Sequence, residues 1–597
     1  MIADTARTGQ EGVYHHNLPT TTRAVPLDSA PSSSPSQPSR STRQRPRIER
    51  CARLIDFEAA RRERGLTQQQ AADQLGIPRT TLCGWNRRAN ETTSPLQRAF
   101  FESPEGVALL VRIVTASLFV MNLQGGLGVA MVRAFLTHAG LHALVASSES
   151  SLRRARSALI AATVAWGDSQ DRALAAQMTK KPAVICADEN FHEGLMLVAI
   201  EPVSNFILLE RRDKHRDAKT WSCALQHSLS LWPVELCAMI GDEAKGLILC
   251  ATQMLGIVKG SDLFHVDHTL CRGTAWALSA QVEAAAQQVK AAEGMVQQLE
   301  HRRERARRAV KSRKDPYKQI VDVYVAIEDK LALEKRLEEV KQLAQSVRDA
   351  IRDLGARFHP VDLARGALCS AEEVEARLLA GFQAVRAAVT AAGVGDRPRV
   401  AEALDKAQRT LPSLMATVHG WYRLATTAVA SLGLSAAETA WVWSTLLPTV
   451  YLDHVVPRGA RKEDRARLRA TRDAMVAKVK ETDSPWHDWS PATRTRVCAV
   501  LEGVVALFVR ASSCVEGRNG QLALYHHRVH RIPQDHLRAL TVVHNYVIRR
   551  RDGTTAAERF AGVPHADLFE HLVAEAQVPA RPRIRPRREK TPLLAAA

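Results

Sequence analysis

No periodic hydrophobic pattern runs through the first fifty positions, which are rich in Ser, Pro, Thr and Arg and contain runs such as Ser32-Ser33-Ser34-Pro35. Such a segment buries too little apolar surface to offset the entropy of ordering, and it reads as a disordered basic arm. From Leu54 to about Met178 the apolar positions recur at helical spacing, punctuated by Gly65, Gly76, Pro95, Pro104 and Gly140. At Pro182 the pattern changes to short strand-type runs, Ala183–Ala187, Leu195–Ile200 and Phe206–Leu209. A helical stretch Trp221–Ser230, another strand Val234–Ile240 and a helix opening at Asp242 follow. That succession predicts an α/β domain.

From Trp276 to about Thr495 the strand pattern disappears. Val282, Ala285, Val289, Ala292, Val296 and Leu299 recur at alternating three- and four-residue steps, as do Leu333, Leu337, Val340, Ala344, Val347, Ile351 and Leu354. Asp315-Pro316 separates the two series, so the pattern predicts two long helices folded back as an antiparallel coiled-coil hairpin, with Arg302–Lys318 at its tip. More helices run to Pro448, including the Trp-rich segment Trp421–Trp443, and a final helical section, Ala499–Leu572, precedes a basic Pro-rich tail. One uncharged stretch, Ile113–Val132, is long enough to span a bilayer, but Asn122, Gln124 and Gly125-Gly126 interrupt it, which favours buried helices.

Composition adds a partner class. The 597 residues suggest about three to five domains, and 46% hydrophobic content excludes a wholly disordered chain. Lys and Arg number 82 against 63 Asp and Glu, a net charge of +19, concentrated in Arg40–Arg53, Arg302–Lys318, Arg549–Arg551 and Arg581–Lys590. Four such clusters favour a phosphate backbone as ligand. The ten cysteines are scattered without a CxxC pair, which suggests neither a zinc ribbon nor a disulfide framework and fits a reducing cytosol. The N-terminus has no apolar signal region.

The segment Gly65–Trp85 has the pattern of a helix-turn-helix. Small Ala71 and Ala72 allow close helix crossing, Gly76 makes the turn, and Ile77 and Leu82 pack inward. Thr80, Thr81, Asn86, Arg87 and Arg88 are then positioned to face a DNA major groove, the alternative being a helical hairpin used only for packing.

Three acids form the second constellation. Asp188 follows the apolar run Val184–Ala187, and Asp242 stands just after Leu236–Ile240, so both carboxylates project from strand ends; Glu516 opens a late helical segment. Carboxylates of this kind suit phosphodiester chemistry, in which hard oxygen ligands hold two Mg²⁺ ions about 4 Å apart. An acid at a strand end also serves as a turn or helix cap, a use that Asp242 suits directly. Arg518 and Asn519 share a turn with Glu516 and are candidates to touch the scissile phosphate or to support the carboxylate, against plain surface polarity. Trp421, Trp441 and Trp443 are candidates for stacking on an unpaired base or for core packing.

The order of Asp188, then Asp242 in Ile-Gly-Asp-Glu-Ala-Lys-Gly-Leu, then Phe264-His265-Val266-Asp267-His268 on a fifth strand, then Glu516 resembles the RNase H-like core of bacterial insertion-sequence DDE transposases. The run Leu540–Phe560, with His544-Asn545-Tyr546, is similar to the segment that closes many such enzymes. The resemblance covers about 180–275 and 496–563. It implies that Asp188, Asp242 and Glu516 are the catalytic, metal-binding acids, with Asp267 and Glu502 as rivals for the last two places and His268 as a residue that orients substrate or packs.

The expected fold is thus an α/β RNase H-like catalytic core interrupted by a large all-α insertion, preceded by an all-α helix-turn-helix region. The expected parts are a basic arm (1–50), the helix-turn-helix (51–95), a helical domain (96–180), the core's first part (181–275), the insertion (276–495), the core's second part (496–572) and a basic tail (573–597). The resemblance implies a transposase that binds the element's terminal repeats and target as double-stranded DNA. It would act with two Mg²⁺ ions, or Mn²⁺ as substitute, as a homo-oligomer of at least two copies, in the cytoplasm on the nucleoid and without a membrane. The alternatives are a transposase-derived DNA-binding regulator without catalysis, and an RNase H-like nuclease without strand transfer.

Overall fold

The structure is a computed structural model that describes the backbone of residues 45–90, 99–101, 103–191, 194–308, 316–458, 462–528 and 532–576. Most of the basic arm, the hairpin tip at 309–315 and the tail beyond 576 lie outside the described residues. The chain divides into two compact units, Met1–Gly106 and Val107–Ala597.

In the first unit, helices α1 (Arg45–Glu63), α2 (Gln68–Leu75) and α3 (Arg79–Asn90) pack mutually. Thr67 caps α2 through a reciprocal pairing with Gln70, and Gly76 ends it at φ +63°, a conformation that an L side chain strains to adopt. Leu54, Phe57, Ala60, Ala71, Ala72 and Leu82 form the core, flanked by Leu66, Ile77 and Trp85.

The second unit opens with α4 (Pro104–Ala116), which continues as a π-helical turn to Gln124, then α5 (Val129–His138) and α6 (Glu149–Gln177). Pro104–Gln124 is long and apolar enough to cross a membrane, yet half of that stretch is buried inside the fold. Its π-helical end packs on α5 and α6, and the Tyr525 hydroxyl donates to the Leu123 and Gln124 carbonyls where it stops. Helix α6 packs directly against C-terminal helices. The Arg538 guanidinium holds Asp168 at 2.9 Å, and the Tyr546 hydroxyl donates to Asp171.

The sheet follows: β1 (Lys181–Asn190), β2 (Met196–Glu201), β3 (Phe206–Arg212), α7 (Ala218–Leu229), β4 (Val234–Gly241), α8 (Lys245–Leu249) and β5 (Val258–Ser261). Strand order is β3-β2-β1-β4-β5. The pairs β1–β2 and β2–β3 are antiparallel, while β1–β4 and β4–β5 are parallel. Strand β2 is buried throughout, which is why it reads as an unbroken apolar run.

Phe264–His268 does not form a fifth strand. It opens the long helix α9 (Leu263–Arg308), because the Asp262 carboxylate accepts the Phe264 N–H (2.8 Å) and the Asp262 carbonyl accepts those of His265 and Val266. Buried Leu263, Val266, Leu270, Thr274 and Ala277 then follow helical spacing. Helix α9 and α10 (Pro316–Arg357) form the antiparallel hairpin, with Lys330 3.6 Å from Glu293.

After a two-residue hairpin (Val361–Asp362 with Ala367–Leu368) come α11 (Ala371–Ala391), α12 (Pro398–Gln408), α13 (Leu411–Ala430), α14 (Ala436–Trp441), α15 (Leu447–Val455), α16 (Lys462–Val479), α17 (Pro485–Asp488) and α18 (Pro491–Ala506). They share one core, in which Trp421 donates its indole N–H to the Val504 carbonyl at 2.9 Å. Helices α19 (Ser513–Arg528), α20 (Gln534–Tyr546), α21 (Ala556–Ala561) and α22 (Leu568–Glu575) return to the sheet region. The described residues are therefore mostly helical, and the second unit contains a small mixed five-stranded sheet with a large helical insertion between β5 and α19.

Candidate active site

The parallel pairing of β1 and β4 runs to Cys186 opposite Ile240. Two residues further along stand Asp188, still within β1 and opposite Val198 of β2, and Asp242, just past the end of β4. Gly241 permits this close approach, since a Cβ there would lie 2.5 Å from the Ala187 carbonyl oxygen. The Asp188 carboxylate is 9% exposed and accepts the Glu189 N–H at 2.7 Å, and the half-buried Asp242 accepts the Ala244 N–H at 3.0 Å.

Glu516 reaches the same point from the far end of the chain. It sits in the first turn of α19, which packs on β1 and β2. The segment before it is pinned to the end of β5: the Leu263 N–H donates to the Arg510 carbonyl (3.0 Å), and the Ser512 hydroxyl donates to the Asp262 carboxylate, 250 positions away in sequence. On α19 itself, the Asn190 amide donates to the Asn519 side-chain oxygen at 2.9 Å, tying the helix to β1 just past Asp188.

Asp188, His265 and Glu516 each offer a ligand atom within 4.8 Å of the other two. Asp242 is not in that trio, but its charge is felt there. Burial pushes the Asp188 carboxyl up to about 7, against the pull of the Glu189 N–H, and the charges of Asp242 and Glu516 add to the rise while His265 opposes it.

The other candidates separate clearly. Arg518 does not face a phosphate: it is 4% exposed and holds Glu210 through two bonds of 2.8 and 2.6 Å, with Thr541 donating to the same carboxylate. Its charge is spent inside the fold. Asn519 serves the contact with β1 described above. Asp267 lies on α9, where burial raises its carboxyl to about 7 against the charge of Arg510, and it does not join the trio. Glu502 borders a different cavity with Trp486 and His454. Trp421 is core, while Trp441 and Trp443 pack against that core. In the first unit, Thr80 is exposed and Thr81 half-buried; Asn86, Arg87 and Arg88 lie on α3, with side chains outside the described residues.

The His544-Asn545-Tyr546 motif closes the sheet edge. The Asn545 amide accepts the Ile207 N–H (2.9 Å) and donates to the Ile207 carbonyl (3.1 Å), satisfying β3 as a further strand would.

A cleft of about 730 Å³ opens beside the acids. Its lining includes Asp242, Glu243 and Asp262 together with Arg272 of α9 and Arg399 and Lys406 of α12. All three cations are exposed, and among the described residues none is held in an ion pair. Sequence reasoning missed these and the position of His265 beside Asp188 and Glu516. The available signal was Asp262 as a helix cap, after which His265, Thr269 and Arg272 fall on one helical face.

Part of the chain, residues 442–589, matches a family of unknown function (DUF6399). This segment contains Glu516 and the edge-closing motif but neither Asp188 nor Asp242. No curated protein matches the chain.

Proposed function

We propose that the protein is a metal-dependent DNA transposase of the insertion-sequence type, built on an RNase H-like core. The observation that carries this reading is that Asp188 on β1 and Glu516 on α19, 328 positions apart in sequence, converge, with Asp242 just past the end of the parallel neighbour β4 and near enough for its charge to act on Asp188. The sheet order and strand directions support the core assignment, and the helical unit around Gly65–Trp85 supports a separate DNA-binding module.

The donor set fits a divalent metal. Burial first, and then the charges of Asp242 and Glu516, raise the Asp188 carboxyl, and a bound cation would offset both the lost solvation and the repulsion. Asp188, Asp242 and Glu516 would hold Mg²⁺, which when bound supplies Lewis acidity at the phosphodiester and activates the attacking oxygen. The chain's own contribution is positional. The Asp262–Ser512 bond holds Glu516 against β1, and Arg272, Arg399 and Lys406 offer phosphate contacts along the cleft. Joining two element ends calls for at least two copies on DNA.

The test is Mg²⁺-dependent cleavage and joining of DNA carrying the element's flanking ends, comparing wild type with Asp188→Asn and Glu516→Gln at matched folding and DNA affinity. Loss of both activities in both variants with binding retained is expected. Cleavage without joining would identify a nuclease instead, and tight binding without cleavage under any divalent metal would overturn the catalytic reading.

A further inference from the structure

We propose that the acid cluster is a mixed carboxylate–imidazole centre in which His265 joins Asp188 and Glu516 as a metal ligand, shifting its preference from Mg²⁺ toward a first-row transition ion, for which Mn²⁺ is the probe. The inference rests on the metal-dependent reading above and deepens it.

Geometry comes first. Among the described residues, the donor atoms that converge within 4.8 Å are those of Asp188, His265 and Glu516, so the imidazole stands beside two of the three acids assigned to the metal. The ring is also unsatisfied in the fold, since His265 Nε2 is buried with no hydrogen-bond partner. Its nearest charged neighbour, the Asp262 carboxylate, stands 3.7 Å away, too far for a hydrogen bond but close enough to orient the ring. An imidazole that stands beside two carboxylates and carries a buried, unpartnered nitrogen is an arrangement a cation completes.

The ring is held where a ligand must be held. His265 lies on the first turn of α9, with its N–H on the Asp262 carbonyl at 3.1 Å. Asp262 in turn accepts the Ser512 hydroxyl, on the segment that leads to Glu516. One buried aspartate thus fixes the spacing between the imidazole and the distant carboxylate. Oxygen-only sets suit Mg²⁺, whereas imidazole nitrogen suits transition ions, and Mn²⁺ accepts both.

The experiment is Mn²⁺ binding by the full chain, followed by the loss of the free-ion paramagnetic resonance signal, with Mg²⁺ as competitor. Nitrogen-14 modulation of the bound Mn²⁺ signal is recorded on wild type, His265→Gln and Asp188→Asn. Wild type is expected to bind Mn²⁺ roughly tenfold or more tightly than Mg²⁺ and to show nitrogen modulation. His265→Gln should lose that modulation and weaken Mn²⁺ binding about tenfold or more. Asp188→Asn should weaken both ions. Wild type with Mn²⁺ bound but no nitrogen modulation, a readout that needs no variant, would overturn the His265 assignment and leave a carboxylate centre standing. Absence of any specific ion binding, or binding indifferent to Asp188→Asn, would overturn the underlying metal reading as well.

Discussion

Asp188 is kept at a cost to folding, and the cost has a pH signature. Its carboxyl stands at about 7 in the folded chain, raised first by burial, while an unfolded aspartate titrates near 4. The folded state therefore binds this proton more tightly, so stability is lost as pH rises from about 4 to 7 and stays lost above. Asp188→Asn removes that dependence. In chelator, the variant is expected to be more stable than wild type at pH 8 by an amount on the order of a few kcal/mol, the difference vanishing near pH 4. Melting curves across that range decide it, and equal stability at pH 8 would refute the raised carboxyl. Arg518 makes the opposite case. Its pairing with Glu210 is enclosed, so Arg518→Met leaves a buried carboxylate without its cation and should cost about 3–5 kcal/mol in urea unfolding. DNA affinity per folded molecule should not change.

At the scale of elements, the closing motif acts on the edge of the sheet. Asn545→Leu keeps the volume but strands both polar groups of Ile207, each worth about 1–3 kcal/mol when left unsatisfied, so a loss of about 2–6 kcal/mol is expected from chemical denaturation. A loss below about 1 kcal/mol would mean that water reaches the edge. Strands β1 to β4 were legible because each is an apolar run whose burial needs only its own residues to declare it. The fifth was not: Val258–Ser261 is four residues long and contains Lys259, whose ammonium is buried and donates to the Gly241 and Gly260 carbonyls. A lysine satisfied by backbone oxygens from elsewhere looks like surface in sequence. Placing the strand too late then concealed the cap at Asp262 and put His265 on the wrong kind of element. The role of Arg518 was hidden for a similar reason, since its partner lies 308 positions away. By contrast, Asp188 and Asp242 stand out in the sequence because each follows an apolar run, Val184–Ala187 and Leu236–Ile240.

On the scale of the whole molecule, the insertion builds part of the cleft. Helix α13 packs on β4 and β5, and α12 packs on α9, which brings Arg399 and Lys406 alongside Arg272. The helical periodicity announced the hairpin, but which helix face meets the acids depends on packing between segments more than a hundred residues apart. If this wall carries the phosphate backbone, its charges release counterions on binding. Changing Arg272, Arg399 and Lys406 together to Glu should weaken DNA binding about equally for all sequences. The slope of log affinity against log salt should become shallower by about 3, one unit per lost contact. Anisotropy titrations between 50 and 200 mM salt, run in parallel on a protein changed only at Thr80 and Thr81, separate the two surfaces. The cleft variant should lose salt dependence and keep its sequence preference, and the helix-turn-helix variant should do the reverse. An unchanged slope in the cleft variant would mean that the strand approaches the acids along another face.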